Sequence, residues 1–215
     1  HGIHHDYNPE RRKNIVKILE SLSLTSYEEK KEELGDLNVV GIIPIKGPLI
    51  QYNGKALLDY TIRSLAESAY VDNSFVLADN NDVKQYVEKI DGIEALCRPD
   101  ELSAEYVGVE QVLAYGINEI SRNGPPPDLC VVLEQTYPFR PSGLVDKLIE
   151  SYMSGSGDGL IPVYRENRAT WREVDGTIQN QSRIMPRALK HSQNWVSLFG
   201  LGFIGHPRNL LNFSI

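Results

Sequence analysis

The stretch that decides the fold is Val39-Val-Gly-Ile-Ile-Pro-Ile45, an almost continuous apolar run that is rich in β-branched residues and ends at Lys46-Gly47. Runs of this kind, without alternating polar residues, are typical of parallel strands that are buried on both faces of their sheet. We therefore predict a central, parallel strand here.

Strand-like and helix-like segments alternate downstream of this run. Further strands are predicted at residues 74–78, 93–97, 129–133 and 160–164, and helices at residues 55–69, 82–90, 105–120 and 144–152. Helices between consecutive strands indicate right-handed βαβ units, and these build a mainly parallel sheet in an α/β domain. We assign this domain to residues 37–215.

The first 36 residues have a different pattern. Pro9 suits the first turn of a helix, and apolar residues then recur at helical spacing. Ser26 and Glu29 form a capping-box pattern for a second short helix, which Gly35 would end. We predict an N-terminal helical arm over residues 1–36 that serves packing rather than chemistry.

Composition excludes several classes of protein. The 22 basic and 29 acidic residues give a net charge of −7, which disfavours non-specific binding to a nucleic acid backbone. No apolar run approaches the ~18 residues of a membrane-spanning helix. The two cysteines, Cys97 and Cys130, form no CxxC pair, which disfavours a disulfide framework or a structural zinc site. We expect a cytoplasmic protein that has neither nucleic acid nor membrane as a partner.

Ligands of parallel sheets bind at the carboxyl ends of the strands, so the residues that follow each strand are the candidates for a binding site. Lys46 and Gly47 follow the first strand and can contact a phosphate through a positive charge and an open backbone N–H. The alternative is that they form only a turn that ends the strand.

The second and third strands are followed by charged residues. Asp79 and Asp82 could approach a hydrated Mg²⁺, although Asn81 or Asp82 could instead cap the next helix. Arg98 follows the third strand and precedes Pro99. We interpret it as an anion contact, and the alternative is a solvated surface arginine.

The fourth strand is followed by the most informative loop, in which polar residues that can bind a base edge lie before Pro138-Phe-Arg-Pro141. These polar residues are Glu134, Gln135 and Thr136. Successive strand ends that carry basic or amide side chains favour a nucleotide site. We expect Arg140 to brace this loop through the carboxylate of Glu134 or Asp146.

Four motifs in this order resemble the CMP-sialic acid synthetase family, the acylneuraminate cytidylyltransferases. The resemblance covers residues 38–207, and its motifs are Val40-Gly-Ile-Ile-Pro-Ile-Lys-Gly47, Asn53-Gly-Lys-Ala-Leu-Leu-Asp-Tyr-Thr-Ile62, Arg98-Pro-Asp-Glu-Leu102 and Leu133-Glu-Gln-Thr-Tyr-Pro-Phe-Arg140. It implies a three-layer, Rossmann-like, mainly parallel sheet of the nucleotide-diphospho-sugar transferase type.

The activity that the resemblance implies is transfer of CMP from CTP to an acidic, sialic-acid-like (nonulosonic) sugar, with Mg²⁺ as cofactor and pyrophosphate as the second product. It also implies a homodimer, and the aromatic and apolar stretch Asn194–Phe203 suits burial against a partner or in the core. The alternatives are a catalytically degenerate nucleotide-binding module and a related nucleotidyltransferase that uses another nucleotide or sugar.

The same resemblance assigns roles to individual residues. Lys46 would be catalytic and would lie with Gly47 on the CTP phosphates. Arg98, Glu134, Gln135 and Thr136 would form the rest of the nucleotide pocket. The sugar carboxylate would be bound by Arg183, Arg187 and Lys190, because a guanidinium binds a carboxylate through two hydrogen bonds. The alternative for these three is a basic surface turn.

The chain departs from the family pattern in three places. The family has a longer phosphate loop rich in Gly, Ser and Lys, whereas here Gly47 is followed directly by Pro48-Leu49-Ile50. Glu134 stands where the family usually has Gln, and the family's C-terminal Asp residues for Mg²⁺ have no match. These departures leave the metal ligands unassigned.

A literal G-x-G-x-x-G pattern occurs at Gly200-Leu-Gly-Phe-Ile-Gly205, where it is followed by His206-Pro207. The dinucleotide-binding motif requires a following helix and an acidic residue ~20 positions further on, and neither is predicted here. We therefore attribute these glycines to close packing of a strand.

Overall fold

A six-stranded sheet organises the chain. The computed structural model describes residues 37–166, 168, 170–180 and 194–211. The predicted N-terminal arm and the predicted sugar-binding residues Arg183, Arg187 and Lys190 lie outside these ranges, so the predicted boundary at residue 37 stays a prediction.

The described strands are β1 Val39–Pro44, β2 Gln51–Tyr52, β3 Lys55–Ala56, β4 Asn73–Ala78, β5 Glu94–Cys97, β6 Leu129–Val132, β7 Gly159–Leu160, β8 Val163–Glu166, β9 Trp171–Val174, β10 Thr177–Asn180, β11 Asn194–Ser197 and β12 Phe203–Gly205. The described α-helices are α1 Leu57–Ala66, α2 Asn81–Val87, α3 Val109–Asn123, α4 Leu144–Met153 and α5 Pro207–Leu211. Short 3₁₀ turns form at Asp100–Leu102 and Phe199–Leu201.

The main sheet has the order β5-β4-β1-β6-β12-β7. Strand β1 pairs in parallel with β4 and β6, and β4 pairs in parallel with β5, whereas β12 is antiparallel to both of its neighbours. The predicted mainly parallel α/β sheet is therefore confirmed. The chain places β4 and β6 on opposite sides of β1, so the order reverses there and a crevice opens between the ends of β1 and β6.

Alternate residues of the buried strands face opposite sides of the sheet. In β1, Ile43 packs in a core with α1, α2 and α4, whereas Ile42 packs in a second core with α3 and α5. Both residues are fully buried. Burial on both faces is the property that the apolar run predicted, and it confirms three layers of helix, sheet and helix.

Two element boundaries differ from the prediction for local reasons. The predicted strand 160–164 is divided between β7 in the main sheet and β8 in a separate ribbon with β11, because Pro162 lies between them and lacks the N–H that a continuous ladder needs. Helix α1 starts late because Lys55–Ala56 pairs with Gln51–Tyr52. Positive φ angles of 49° at Asn53 and 76° at Gly54 suit the two-residue turn between them.

Two of the three glycines of the G-x-G-x-x-G pattern, Gly200 and Gly202, are packing glycines, as predicted, whereas a Cβ at Gly205 would make only ordinary contacts. The segment forms a 3₁₀ turn followed by strand β12, with no nucleotide-binding helix after the first glycine. A Cβ at Gly202 would lie 2.6 Å from the Leu148 side chain, which is closer than real Cβ contacts allow. Among the described helices, none has the length and apolar character needed to cross a membrane.

Candidate functional site

A pocket of about 240 Å³ lies at the crevice between the ends of β1 and β6. The structure brings together there all of the predicted nucleotide-binding residues except Gly47, which is the next residue after Lys46. The lining residues are Pro44, Ile45, Lys46, Arg98, Val107, Val109, Val112, Glu134, Gln135 and Thr136.

The chemistry of the pocket changes with depth. Arg98 and Gln135 are only 7% and 6% exposed, and apolar side chains from the start of α3 complete the inner wall. Lys46 and Thr136 are exposed at the mouth. The interior of the pocket is therefore mainly apolar with two buried polar side chains, and its entrance carries the positive charge of Lys46.

Arg98 is positioned by the end of β5. Its backbone N–H donates to the Ala78 carbonyl at 3.0 Å, and its guanidinium donates to the Ile45 carbonyl at 2.8 Å and lies 3.6 Å from the Asp79 carboxylate. Burial lowers the pKa of Arg98, and the Asp79 charge opposes this shift. The alternative of a solvated surface arginine is wrong.

The guanidinium of Arg98 is not fully satisfied. Its Nε is buried and has no hydrogen-bond partner within the described part of the chain, and the same holds for Oε1 of Gln135. A buried polar group without a partner costs about 1–3 kcal/mol, so a donor and an acceptor left in one pocket point to a ligand that bonds to both.

The turn after β1 is held by residues that follow β4. Gly47 has a φ of +80° and donates its N–H to the Asp79 carboxylate at 2.6 Å. The Asn80 amide donates to the Gly47 carbonyl at 3.2 Å. In this conformation the N–H that we predicted to face a phosphate is already bonded to Asp79. We call the two bonds from Asp79 and Asn80 to Gly47 the clamp, and the sequence did not indicate it.

Of the two carboxylates that follow β4, Asp79 is already engaged with the protein. The second Asp79 oxygen accepts from the Asn80 amide at 2.7 Å, so both carboxylate oxygens are bonded to protein donors. Asn80 also caps α2 by accepting from the Val83 N–H at 2.9 Å. The capping interpretation was therefore right in kind, but the cap is Asn80 rather than Asn81 or Asp82. Within the described ranges, no cluster of three or more metal-ligating side chains is found.

Lys46 extends across the mouth of the pocket. Its Nζ donates to the Ala104 carbonyl at 3.0 Å, just beyond the 3₁₀ turn that follows β5. The ammonium group thus lies beside the entrance, and a phosphate there would compete with a single neutral carbonyl for it.

The loop after β6 is anchored to the glycine-rich segment before β12. The Glu134 N–H donates to the Gly200 carbonyl at 2.9 Å, and the Thr136 hydroxyl donates to the Glu134 carboxylate at 3.0 Å. A Cβ at Gly200 would lie 2.4 Å from that carboxylate, so only glycine permits this approach.

Arg140 braces this loop, as predicted, but through different partners. Its guanidinium donates to the backbone carbonyls of Leu201, Gly200 and Glu134 at 2.8, 2.6 and 2.9 Å and to the Thr61 hydroxyl at 3.1 Å. Of the two predicted partners, the Asp146 carboxylate is wrong, since it accepts from Ser68, whereas the Glu134 carboxylate acts on Arg140 through its charge. Burial lowers the pKa of Arg140 to about 10.

Sequence reasoning missed the apolar wall of the pocket. Val109 and Val112 were recognised only as residues of a helical apolar face, and Val107 was assigned to the same helix. Helix α3 begins later than predicted, at Val109 after Gly108, and this turns Val107 towards the pocket. The only available signal was the low helix propensity of Gly108.

No protein-family model matches the chain, and no curated protein matches it by sequence. Solved structures do match. A 4-diphosphocytidyl-2C-methyl-D-erythritol synthase superposes with a TM-score of 0.62 at 12% identity, over 84% of this chain and 82% of its own. A CMP:2-keto-3-deoxy-manno-octonic acid synthetase complexed with CTP gives 0.61 at 15% identity, over 81% and 76%. The 2-C-methyl-D-erythritol 4-phosphate cytidylyltransferase of Francisella tularensis gives 0.59 at 20% identity, over 81% and 75%.

The chain shares the cytidylyltransferase fold. At these identities the likeness concerns architecture, and it agrees with the three layers and the mainly parallel sheet described above. Within the cytidylyltransferase fold, the pocket between β1 and β6 is the place where the described chain concentrates its buried polar groups without partners.

Proposed function

We propose that the protein is a CTP-dependent nucleotidyltransferase that converts an acidic, sialic-acid-like sugar to its CMP derivative and releases pyrophosphate. The observation that carries the proposal is the pocket at the sheet reversal, in which buried Arg98 and Gln135 each have one atom without a partner among the described residues, below an exposed lysine. A site of this kind suits a ligand with a flat polar ring and a charged tail.

The change in the pocket lining with depth supports one orientation of the nucleotide. The base would occupy the interior, where Val107 and Val112 provide apolar contacts for its faces and Arg98 provides a donor for its edge. The triphosphate would extend towards Lys46 at the mouth, where charged groups remain hydrated. This orientation places the α-phosphate near the ends of β1 and β6.

In the proposed reaction a hydroxyl oxygen of the sugar attacks the α-phosphorus, and the bond from that phosphorus to the bridging oxygen breaks. The hydroxyl proton passes to solvent or base, and pyrophosphate leaves with the bonding electron pair. Lys46 would offset the charge that develops on the phosphate oxygens after exchanging its bond to the Ala104 carbonyl for one to the phosphate.

Magnesium is part of the proposal as an ion carried by the triphosphate. Such sites use one or two carboxylates together with substrate phosphates. Glu134 is a carboxylate that lines the pocket and accepts from Thr136 through one oxygen, whereas both oxygens of Asp79 are bonded, to Gly47 and Asn80, so Glu134 fits this role better. The ion would supply neutralisation of phosphate charge.

The acidic sugar is the finer part of the proposal. One structural neighbour is named as a synthetase for CMP and a keto-deoxy-octonic acid and was determined with CTP, which supports an acidic acceptor. Two others are named for a methylerythritol product or its phosphate. A phosphorylated polyol is therefore the second candidate acceptor, and Arg183, Arg187 and Lys190 would suit its phosphate as well as a carboxylate.

The proposal is tested by pyrophosphate release from CTP and Mg²⁺ with a panel of acceptors: nonulosonic acids, a keto-deoxy-octonic acid and 2-C-methyl-erythritol 4-phosphate. Arg98→Ala should lower kcat/KM for CTP at least tenfold, and Arg122→Ala, an exposed residue of α3 that pairs with Glu119, should leave it unchanged. CTP binding without turnover for any acceptor would favour the degenerate module. Absence of CTP binding would overturn the proposal.

We also propose a homodimer that covers two of the two-stranded ribbons outside the main sheet, β8–β11 and β9–β10. Strands β8 and β11 expose Val163 and Trp195, and the β9–β10 hairpin exposes Trp171 and Ile178, with 48–67% of each residue accessible. Arg165 stacks on Trp195 with its guanidinium carbon 5.1 Å from the ring centroid. Light scattering at tens of micromolar should show a dimer, and a monomer there would remove this part of the proposal.

A further inference from the structure

Gln135 has an unusual environment for a glutamine. It follows strand β6 directly after Glu134, it lines the pocket, and it is 94% removed from solvent, being only 6% exposed. Its Oε1 has no hydrogen-bond partner in the described ranges. A buried amide oxygen of this kind is unfavourable unless a ligand donates to it.

The polar residues near Gln135 differ from it in this respect. The Thr136 hydroxyl donates to the Glu134 carboxylate, and Lys46 donates to the Ala104 carbonyl. Their side chains are also more accessible to water than that of Gln135. Gln135 and Arg98 are therefore the pocket residues that each have a buried polar atom without a hydrogen-bond partner among the described residues.

These two residues require a ligand that has a hydrogen-bond donor and a hydrogen-bond acceptor close together. Oε1 of Gln135 requires a donor, and Nε of Arg98 requires an acceptor. A phosphate ester at neutral pH offers acceptors but almost no donors, so it cannot satisfy both. The edge of a heterocyclic base that carries an amine beside a carbonyl or ring nitrogen does satisfy both, and the valine wall suits its flat faces.

We propose that Gln135 is the residue that selects cytosine over uracil, by accepting a hydrogen bond from the exocyclic amine of CTP while Arg98 donates to an acceptor on the ring. The inference rests on the proposed function. Uracil has a carbonyl where cytosine has the amine, so UTP would place an acceptor against the Gln135 acceptor. Gln135 stands at the variable position x of the family motif Leu-Gln-x-Thr, so the resemblance assigns no residue type there. Its proposed role follows from its burial and from the missing partner of its Oε1.

The test measures binding of three nucleotides by calorimetry: CTP, UTP and 2-pyrimidinone riboside triphosphate, which is CTP without the exocyclic amine. The wild type should bind CTP about tenfold or more tightly than either of the others, since one lost hydrogen bond in a dry pocket has at least this effect. In Gln135→Met, which keeps the side-chain length but removes the amide, the three affinities should become equal within about threefold.

A matched control is Gln85→Met, because Gln85 is exposed on α2 and absent from the pocket lining. It should keep the wild-type preference. Gln135→Glu keeps an acceptor at the same position and should retain the preference for CTP over UTP. Circular dichroism melts report whether each variant folds.

The outcomes separate the two proposals. Wild-type protein that binds none of the nucleotides would overturn the proposed function and this inference together. Protein that binds CTP, but whose Gln135→Met variant still prefers CTP over the pyrimidinone analogue, would overturn only the role of Gln135. If Gln135→Met does not fold, equal wild-type binding of CTP and the pyrimidinone analogue overturns the inference, and a tenfold preference that Gln135→Glu preserves supports it.

Discussion

The two sides of the pocket are built differently. On the side formed by β6, Gln135 is buried and its Oε1 has no partner in the part of the chain that the structure describes, while the loop around it is fixed by the hydrogen bonds of Arg140 to backbone carbonyls. On the side formed by β1, the groups suited to phosphate already have partners, since Lys46 bonds to Ala104 and Gly47 to Asp79.

Under the proposed function, this difference predicts that the two sides contribute differently to nucleotide binding. In the proposed orientation, the base side is organised in advance and keeps unused hydrogen-bonding capacity, so a base would gain new bonds without breaking old ones. The phosphate side must exchange existing bonds for new ones, and its contribution to affinity is the difference between them. We therefore expect the base to dominate affinity and the phosphate side to respond mainly to charge.

The largest effect is expected from Arg140→Ala, which breaks the preorganisation of the base side. It removes four hydrogen bonds that tie the loop after β6 to Thr61 and to the segment before β12, although the Gly200 and Glu134 carbonyls keep backbone donors, so the free energy of unfolding should fall by about 3 kcal/mol. For a chain of this size that lowers the melting temperature by about 6–12 °C. A thermal melt measures it, with Arg122→Ala as the exposed control. An unchanged melting temperature would show that the loop is held by other contacts.

The next largest effect concerns nucleotide affinity. Arg98→Ala and Thr136→Ala should each weaken CTP binding by about 1.5–3 kcal/mol, at least tenfold, because each removes a hydrogen-bonding group from the pocket. Titration calorimetry measures the change. If Thr136→Ala binds CTP as the wild type does, the loop after β6 is not the nucleotide loop.

A smaller effect is expected on the stability of the helices behind the phosphate side. Tyr86 of α2 donates to the Asp59 carboxylate of α1 at 2.8 Å, and Tyr86→Phe should lower the free energy of unfolding by about 1 kcal/mol. Burial, together with Asp59, raises the pKa of Tyr86 to about 12 from an ordinary 10.0. The folded state therefore holds this proton longer than the unfolded chain does. The contribution is complete below the ordinary pKa and is lost as the pH rises through the folded value.

Urea unfolding of wild type and Tyr86→Phe at about pH 8 and about pH 11 tests this dependence. The difference between the two proteins should be larger at the lower pH. A difference that grows with pH would contradict the sign of the shift.

The smallest effect is expected from Asp79→Asn, which tests how strongly charge on the phosphate side of the pocket affects CTP affinity. The variant keeps an acceptor for the Gly47 N–H but removes a negative charge beside Arg98. CTP should bind about threefold more tightly at low salt, and the gain should shrink as salt screens the triphosphate. Asp82→Asn, an exposed residue of α2, is the matched control. Weaker binding by Asp79→Asn would show that the clamp itself positions the phosphate.

The sequence predicted the framework and half of the pocket lining because both depend on local patterns. The apolar run at residues 39–45 predicted β1, and the polar residues after β6 and Arg98 after β5 came together as strand ends must. The partners of Arg140 could not be predicted in this way. They are backbone carbonyls at Gly200 and Leu201, which approach only because β12 pairs with β6.

The same limit applies to the clamp on Gly47. Asp79 and Asn80 are ordinary residues at a helix start, and their bonds to Gly47 depend on the parallel register of β1 and β4. Periodicity gives the presence of both strands but not the hydrogen-bond partners of the side chains that follow them. Element type was therefore predictable, whereas individual side-chain partners were not.

The insertion of β12 between β6 and β7 has a consequence for synthesis on the ribosome. Strands β1, β4, β5 and β6 can pair as soon as they emerge, but β7 joins the sheet through β12, which is translated more than 40 residues later. The anchor from Glu134 to Gly200 forms at the same late moment. A nascent chain would thus carry a finished phosphate turn and an unfinished base loop, and it would acquire affinity for nucleotide only when the late strand docks.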